Sequence, residues 1–294
     1  MFGPHVDRVH ARGARATIAE HVEAARRAAE VEAGFAVRAV SMFVGGPRDR
    51  QIIVPDAHAD ALREYLARTG IRAIAHSSYS AVPWRGDPDA ARFIREESRV
   101  CARAGIAGLV VHLPKAPVDQ VMKYIARLYD PAGVRIYLET PAVRPDESYY
   151  ETPEKLAALF RAIREKLDSR LDHFGLCVDS AHLWTCGVDV ASYAAADAWL
   201  GALEQKHAAI PHDRVMIHLN DSRRARGVGP DAHAGLAAGE IWKEYAENLP
   251  ASGLAAFVDY ARRHDTVCIL ERKPAPALLD DYRALRELAA EATD

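Results

Sequence analysis

Eight short apolar runs, each followed by a longer segment of helical periodicity, constrain this chain more than any other feature. The runs lie at residues 2–6, 35–43, 71–76, 108–112, 134–139, 174–179, 215–219 and 267–271. Their nearly unbroken Val, Ile, Leu and Ala content is that of strands covered on both faces, as in a parallel sheet. Helical segments are expected at 17–33, 55–68, 87–104, 118–128, 153–167, 192–205, between 240 and 263 after a long loop, and at 278–290, with Gly70 placed as a C-cap glycine. No Gly-x-Gly-x-x-Gly follows the first strand, and neither a linker nor an internal repeat divides the chain. The pattern predicts an α/β fold, a (β/α)8 TIM barrel in a single domain over residues 1–294, rather than an open dinucleotide-binding sheet. Pro4 lies inside a very short first run, so imperfect closure is expected on that side.

Composition narrows the function. Lys and Arg number 38 against 41 Asp and Glu, a net charge of −3, which excludes a surface that is one electrostatic trap for nucleic acid but leaves room for a local basic patch. The four cysteines, Cys101, Cys177, Cys186 and Cys268, form no C-x-x-C pair, so neither a disulfide framework nor a thiolate zinc knuckle is signalled. No apolar run approaches the ~18 residues of a membrane helix, and the opening MFGPHVDRVHARGAR has no secretory apolar stretch. A reducing, cytoplasmic location is expected, nuclear for a eukaryotic or viral source, with no membrane partner.

In a barrel of this kind the carboxyl ends of the strands converge on one face. Here five strands end in His76, His112, Glu139, Asp179 and Glu271, and His218 sits near the end of a sixth. Neighbouring strands lie ~4.8 Å apart, so such tips can share ions of a hydrolytic metal pair. Asp179-Ser-Ala-His182 and Asp231-Ala-His233 add a further carboxylate and two imidazoles that can hold one more ion at the rim. An imidazole and carboxylate inventory without thiolate suits Zn²⁺ first, Mn²⁺ next, with iron admissible. Cys177 shares strand parity with Asp179 and is expected inside the barrel as a core residue. His5 ends the first strand and is placed to line the mouth, but neither it nor His10, His21, His58, His173, His207, His212 and His264 is given a metal role. The Arg and Glu alternation of segments 17–33 and 87–104 reads as solvated helix faces.

The segments Gly3-Pro-His-Val, His76-Ser-Ser-Tyr79, His112, Leu138-Glu-Thr140, Cys177-Val-Asp-Ser-Ala-His182, His218-Leu-Asn-Asp-Ser222, Asp231-Ala-His233 and Leu270-Glu271 together resemble the endonuclease IV family, abasic-site endonucleases built on a xylose-isomerase-like barrel. All nine positions that match the family's metal ligands hold the expected residue type. The resemblance implies three zinc ions, Mn²⁺ in part. Glu139 would bridge two of them, one completed by His76 and His112, the other by Asp179, His218 and Glu271, and the third would take His182, Asp231 and His233. Glu139, Asp179 and Glu271 would be the catalytic carboxylates. The implied reaction is hydrolysis 5′ to an abasic site in double-stranded DNA, leaving a 3′-hydroxyl, with clearing of blocked 3′ ends, by a monomer.

DNA contacts are expected from Tyr79 and from Arg48, Arg50, Arg85, Arg223, Arg224 and Arg226, while Asn220 and Asp221 would either orient ligands or cap a turn. The chain departs from the family at Thr140-Pro-Ala-Val143, at Ala237-Ala-Gly239, at Arg12-Gly-Ala-Arg15, and at Ser80, where an apolar wedge is usual. Sugar isomerases and epimerases of the same barrel are the competing resemblance. They account for His112, Glu139, Asp179, His218 and Glu271 but give His76 and the Asp231, His233 pair no role.

Overall fold

The computed structural model describes residues 1–6, 17–272 and 278–291. Arg12-Gly-Ala-Arg15 and His10 lie outside them. Eight parallel strands form one sheet: β1 (Phe2–Pro4), β2 (Ala39–Phe43), β3 (Arg72–His76), β4 (Gly108–His112), β5 (Arg135–Glu139), β6 (Phe174–Asp179), β7 (Val215–His218) and β10 (Val267–Leu270), in the order β1-β10-β7-β6-β5-β4-β3-β2. The barrel shuts between β1 and β2 through one bridge, His5 with Ser41, where Val6 N donates to Ser41 O (2.7 Å) and Arg38 N donates to Phe2 O (3.0 Å). Two residues make this seam thin, as Pro4 led us to expect. The alternation of donors along β1 puts the N–H of position 4 on the β2 side, and proline has none to offer. At Gly3 a Cβ would fall 1.5 Å from Ala39 O, so the two backbones meet where only glycine fits.

Helices cover the outside: α1 (Ile18–Ala33), α2 (Asp56–Thr69), α3 (Pro88–Arg103), α4 (Val118–Tyr124), α5 (Pro153–Leu167), α7 (Tyr193–Glu204), α8 (Gly253–Arg263) and α9 (Leu279–Glu291). Local chemistry explains their limits. Thr17 and Glu20 form a reciprocal capping box at the start of α1, and Gly70 closes α2 in the left-handed conformation at φ 69°. The second strand is shorter than expected, starting at Ala39 rather than 35, and the fourth helix ends at Tyr124 and runs on as a 3-10 turn, Ile125–Arg127. Two small elements escape periodicity altogether: α6 (Ser180–Thr185) and the antiparallel pair β8 (Asp221–Ser222) and β9 (His233–Ala234). Among the described residues, no helix is long and apolar enough to cross a membrane.

What positions the site is the plug inside the barrel. Ile74, Val110, Tyr137, Cys177, Met216 and Ile269 form one apolar layer with Ala39 and Val267. Each of the six lies two residues before His76, His112, Glu139, Asp179, His218 or Glu271, and side chains two apart on a strand share a face. The apolar layer therefore puts six polar tips one step higher, at the mouth. Cys177 takes the core place expected of it.

Candidate metal centre

The strand register begins the assembly: His112 lies opposite Glu139, and Asp179 opposite His218. His76 Nε2 is 3.1 Å from His112 Nε2, and Glu139 Oε2 is 3.3 Å from the first and 2.9 Å from the second. The other oxygen, Oε1, is 2.8 Å from His218 Nδ1, which is 3.1 Å from Glu271 Oε2 and 3.9 Å from Asp179 Oδ2. Glu139 therefore spans two groups, one with His76 and His112, the other with Asp179, His218 and Glu271; within each group ligand atoms come within 4.8 Å of one another. At the rim, Asp231 Oδ2 is 3.5 Å from His182 Nε2 and 3.1 Å from His233 Nε2, and Asp179 closes that group at 3.8 and 3.9 Å. All nine residues singled out by the strand-end pattern and the loop pairs meet in one mouth.

These residues fit metal ions. Two imidazole nitrogens and one carboxylate oxygen converge on one point within 3.3 Å of each other, a nitrogen and oxygen donor set of the kind that binds a divalent cation. Neighbouring carbonyls settle which nitrogen faces the cluster: His76 Nδ1 donates to Ser77 O and His182 Nδ1 to Thr140 O, both at 2.7 Å, which turns each Nε2 inward. Glu139, Asp179 and His218 are fully buried, whereas the His112 side chain is 43% and the Asp231 side chain 33% exposed, so the site meets solvent at His112 and at the rim.

The electrostatics follow from burial and charge. Burial works against ionisation of Glu139, yet His112 and His218 outweigh it and hold its pKa well below the usual carboxylate range. Glu271 and Asp231 go the same way, the first through His218, the second through His182 and His233. For Asp179 burial prevails and the pKa is raised. His182 and His218 are pushed well above the ordinary imidazole value and His233 to about 9, because their neighbours outweigh their own burial: Asp179 and Asp231 for His182 and His233, and Cys177 with Glu271 and Glu139 for His218. The cluster demands positive charge at its centre, which protons or divalent ions can supply.

Supporting contacts hold the ligands. Asn220 Nδ2 donates to Asp179 Oδ2 (2.8 Å) and Glu271 Oε2 (3.1 Å), while its Oδ1 accepts from Glu271 N (3.0 Å). Of the two roles open to this pair, Asn220 orients ligands and Asp221 caps the loop, accepting from the N–H groups of Ser222, Gly239 and Ile241. Thr140, one of the positions that departs from the resembled family, donates nothing to the mouth directly. Its Oγ1 accepts from Asp179 N at 3.0 Å and its carbonyl orients His182. Backbone and hydroxyl partners of this kind carry no sequence signal.

The expected DNA contacts are more scattered. Tyr79 is 54% exposed and its ring lies 5.1 Å from that of His76 and 5.7 Å from that of His112. Arg48, Arg85, Arg223 and Arg224 are exposed. Arg226 pairs with Asp189 (2.7 Å) and lies over Trp184, and Arg50 is engaged by Asp87 (2.7 Å) and Ser80 O (2.9 Å). His5 is buried, its Nδ1 3.2 Å from Ser41 Oγ. One expectation fails: α3 is not simply a solvated face, because Glu97 is fully buried, and its carboxylate accepts from Ser77 Oγ and Ser78 N beneath the Tyr79 loop. A signal was there, since Ala90, Ile94, Glu97 and Cys101 follow a 4-3-4 spacing that is otherwise the buried stripe of the helix.

The fold and this site define a TIM barrel whose strand ends carry a cluster of histidines and carboxylates with the geometry of metal ligands. The comparisons agree. The xylose isomerase-like TIM barrel family matches residues 25–288. A relative from African swine fever virus (isolate Tick/South Africa/Pretoriuskop Pr4/1996), "Probable AP endonuclease", is 38% identical over 240 residues, 81% of this chain and 80% of the relative. The crystal structure of AsfvAP:AG superposes with a TM-score of 0.89 at 33% identity, covering 100% of this chain and 98% of that one. That of endonuclease IV from Thermus thermophilus gives 0.74 at 25% identity, covering 99% of each. The chain belongs to the endonuclease IV family of xylose isomerase-like TIM barrels.

Proposed function

We propose that the protein is a metal-dependent abasic-site endonuclease that hydrolyses the phosphodiester 5′ to an abasic site in double-stranded DNA, leaves a 3′-hydroxyl, and also clears blocked 3′ ends. The observation that carries this reading is Glu139, whose two oxygens face two separate sets of nitrogen and oxygen donors. The viral relative named as an AP endonuclease supports the substrate class.

Three zinc ions, with Mn²⁺ an alternative in part, would be held by His76, His112 and Glu139; by Glu139, Asp179, His218 and Glu271; and by His182, Asp231 and His233. Ions so placed lower the pKa of water and stabilise the attacking and leaving oxygens of an in-line displacement, so no side-chain nucleophile is needed. The chain's own work is positional. Glu139, Asp179 and Glu271 supply fixed negative charge at the reacting centre, and Asn220 keeps two of these carboxylates in register. Tyr79 and the exposed Arg48, Arg223 and Arg224 would meet the DNA around the lesion, with Arg226 recruited from its pair with Asp189. A missing base lowers the cost of unstacking the nucleotide, which favours damaged over intact DNA.

The test is a duplex carrying one tetrahydrofuran abasic analogue, which a β-elimination lyase leaves whole. A single chelator-sensitive cut on its 5′ side is expected. Fully metallated protein that leaves it intact would remove this reading in favour of a sugar isomerase or epimerase.

A further inference from the structure

Glu97 has no part in the chemistry above, yet it is a carboxylate with no exposure, no cationic partner among the described residues, and two well-made hydrogen bonds. One oxygen accepts from Ser77 Oγ at 2.5 Å and the other from Ser78 N at 3.1 Å, so it grips the chain on leaving β3 immediately after His76. The same carboxylate touches the segment after β2, where a Cβ on Gly45 would fall 2.4 Å from Glu97 Oε1. The two segments are laced together above it. Tyr79 N donates to Pro47 O (3.0 Å), Ser78 Oγ to Asp49 O (2.7 Å), and the Arg50 guanidinium to Ser80 O (2.9 Å).

A buried, unpaired acid is costly and persists only where its hydrogen bonds hold something in place. What these hold is a platform that carries Tyr79 on one segment and Arg48 on the other. We infer that Glu97 is the positioning residue for that platform: by holding Ser77 and Ser78 it fixes Tyr79 beside His76 and His112, and so governs how tightly an abasic duplex is bound. The inference rests on the abasic-site reading for its substrate but not for its geometry.

The experiment therefore has two arms on metallated protein. Without substrate, amide hydrogen exchange at Ser78, Tyr79 and Ser80 is compared in wild type, Glu97→Ala and Glu97→Gln. Fast exchange confined to residues 45–52 and 77–80 is expected for Glu97→Ala, with metal content unchanged. Glu97→Gln, whose amide can still accept from Ser78 N and donate to Ser77 Oγ, should exchange as wild type does. With the tetrahydrofuran duplex, Glu97→Ala should raise KM roughly tenfold to a hundredfold with kcat little altered, Glu97→Gln should restore it, and adding Tyr79→Ala to Glu97→Ala should raise KM little further.

Unchanged exchange in Glu97→Ala, or a loss of kcat rather than of binding, would overturn the inference. A wild type that cuts no abasic duplex would refute the functional reading instead, and the exchange arm would still decide the role of Glu97. Should Glu97→Ala fail to fold, Glu97→Asp keeps the charge, withdraws both oxygens, and carries the same predictions.

Discussion

His76 and His112 point their Nε2 atoms at each other across 3.1 Å, and Glu139 Oε2 stands within 3.3 Å of both. The three residues come from adjacent strands β3, β4 and β5, so the arrangement depends on no loop. It is the part of the site that the barrel itself builds.

The other oxygen of Glu139 serves His218, so replacing the carboxylate strikes two groups at once. Glu139→Gln should cost at least roughly a hundredfold in kcat, the upper end of what removing even an indirect ligand contact does. Metal analysis should show the His76 and His112 group depleted. Full metal content with normal turnover would contradict the bridging role.

Exposure separates the groups. His112 at 43% and Asp231 at 33% are exposed ligand side chains, against fully buried Asp179 and His218, so ions held with His112 and with Asp231 should leave on dialysis against a chelator before one held by Asp179, His218 and Glu271. Activity should fall with the loss of the first equivalent, and loss of all three at one rate would argue against separate groups.

Asn220 offers a test that leaves every ligand in place. Asn220→Ala removes the amide that joins Asp179 to Glu271, and metal affinity should fall roughly tenfold to a hundredfold while the folded structure persists by circular dichroism. Asn220→Asp should be worse, because it adds a third carboxylate to the pair.

Glu97 makes stability depend on pH. Burial pushes its pKa up from the ordinary 4.5 to about 7, against the hydrogen bonds from Ser77 and Ser78. An acid with a raised folded pKa is neutral in the fold at low pH and must be ionised in it at high pH. Its penalty is therefore absent below about 4.5, grows between 4.5 and 7, and is constant above, where it amounts to on the order of 3 kcal/mol. Glu97→Gln should raise Tm at pH 8 and change it little at pH 4.5; equal shifts at both would contradict the assignment.

Tyr79 should matter for binding alone. It is 54% exposed and its ring lies beside those of His76 and His112, outside the groups of nitrogen and carboxylate donors, so Tyr79→Ala should raise KM for the abasic duplex with metal content and kcat preserved. Affinity should also fall with salt, and less steeply in a variant lacking Arg223 and Arg224.

The residues differ in how far their roles could be read in advance. His76, His112, Glu139, Asp179 and Glu271 were legible because each ends an apolar run, and in a parallel barrel the ends of the runs must meet. Asp231 and His233 depended on a loop, and the resemblance to a known family supplied what spacing alone did not. Glu97 was misread because its helix alternates Arg and Glu; its place on the stripe of Ala90, Ile94 and Cys101 outweighed its charge. Thr140 and Ser77 act through a hydroxyl or a carbonyl, groups that any sequence supplies everywhere.

By itself, then, the order of residues determined the barrel, its thin seam at Pro4, and the six polar tips over an apolar plug, because all of these follow from local periodicity and the reach of single residues. Tertiary structure alone decided that Glu139 faces two groups, that Asn220 joins Asp179 to Glu271, and that Glu97 is buried beneath Tyr79. These are hydrogen-bonded meetings of residues from 19 positions apart, as for Ser78 and Glu97, to 79, as for Glu139 and His218. Their geometry depends on how the helices settle against the sheet rather than on any local pattern.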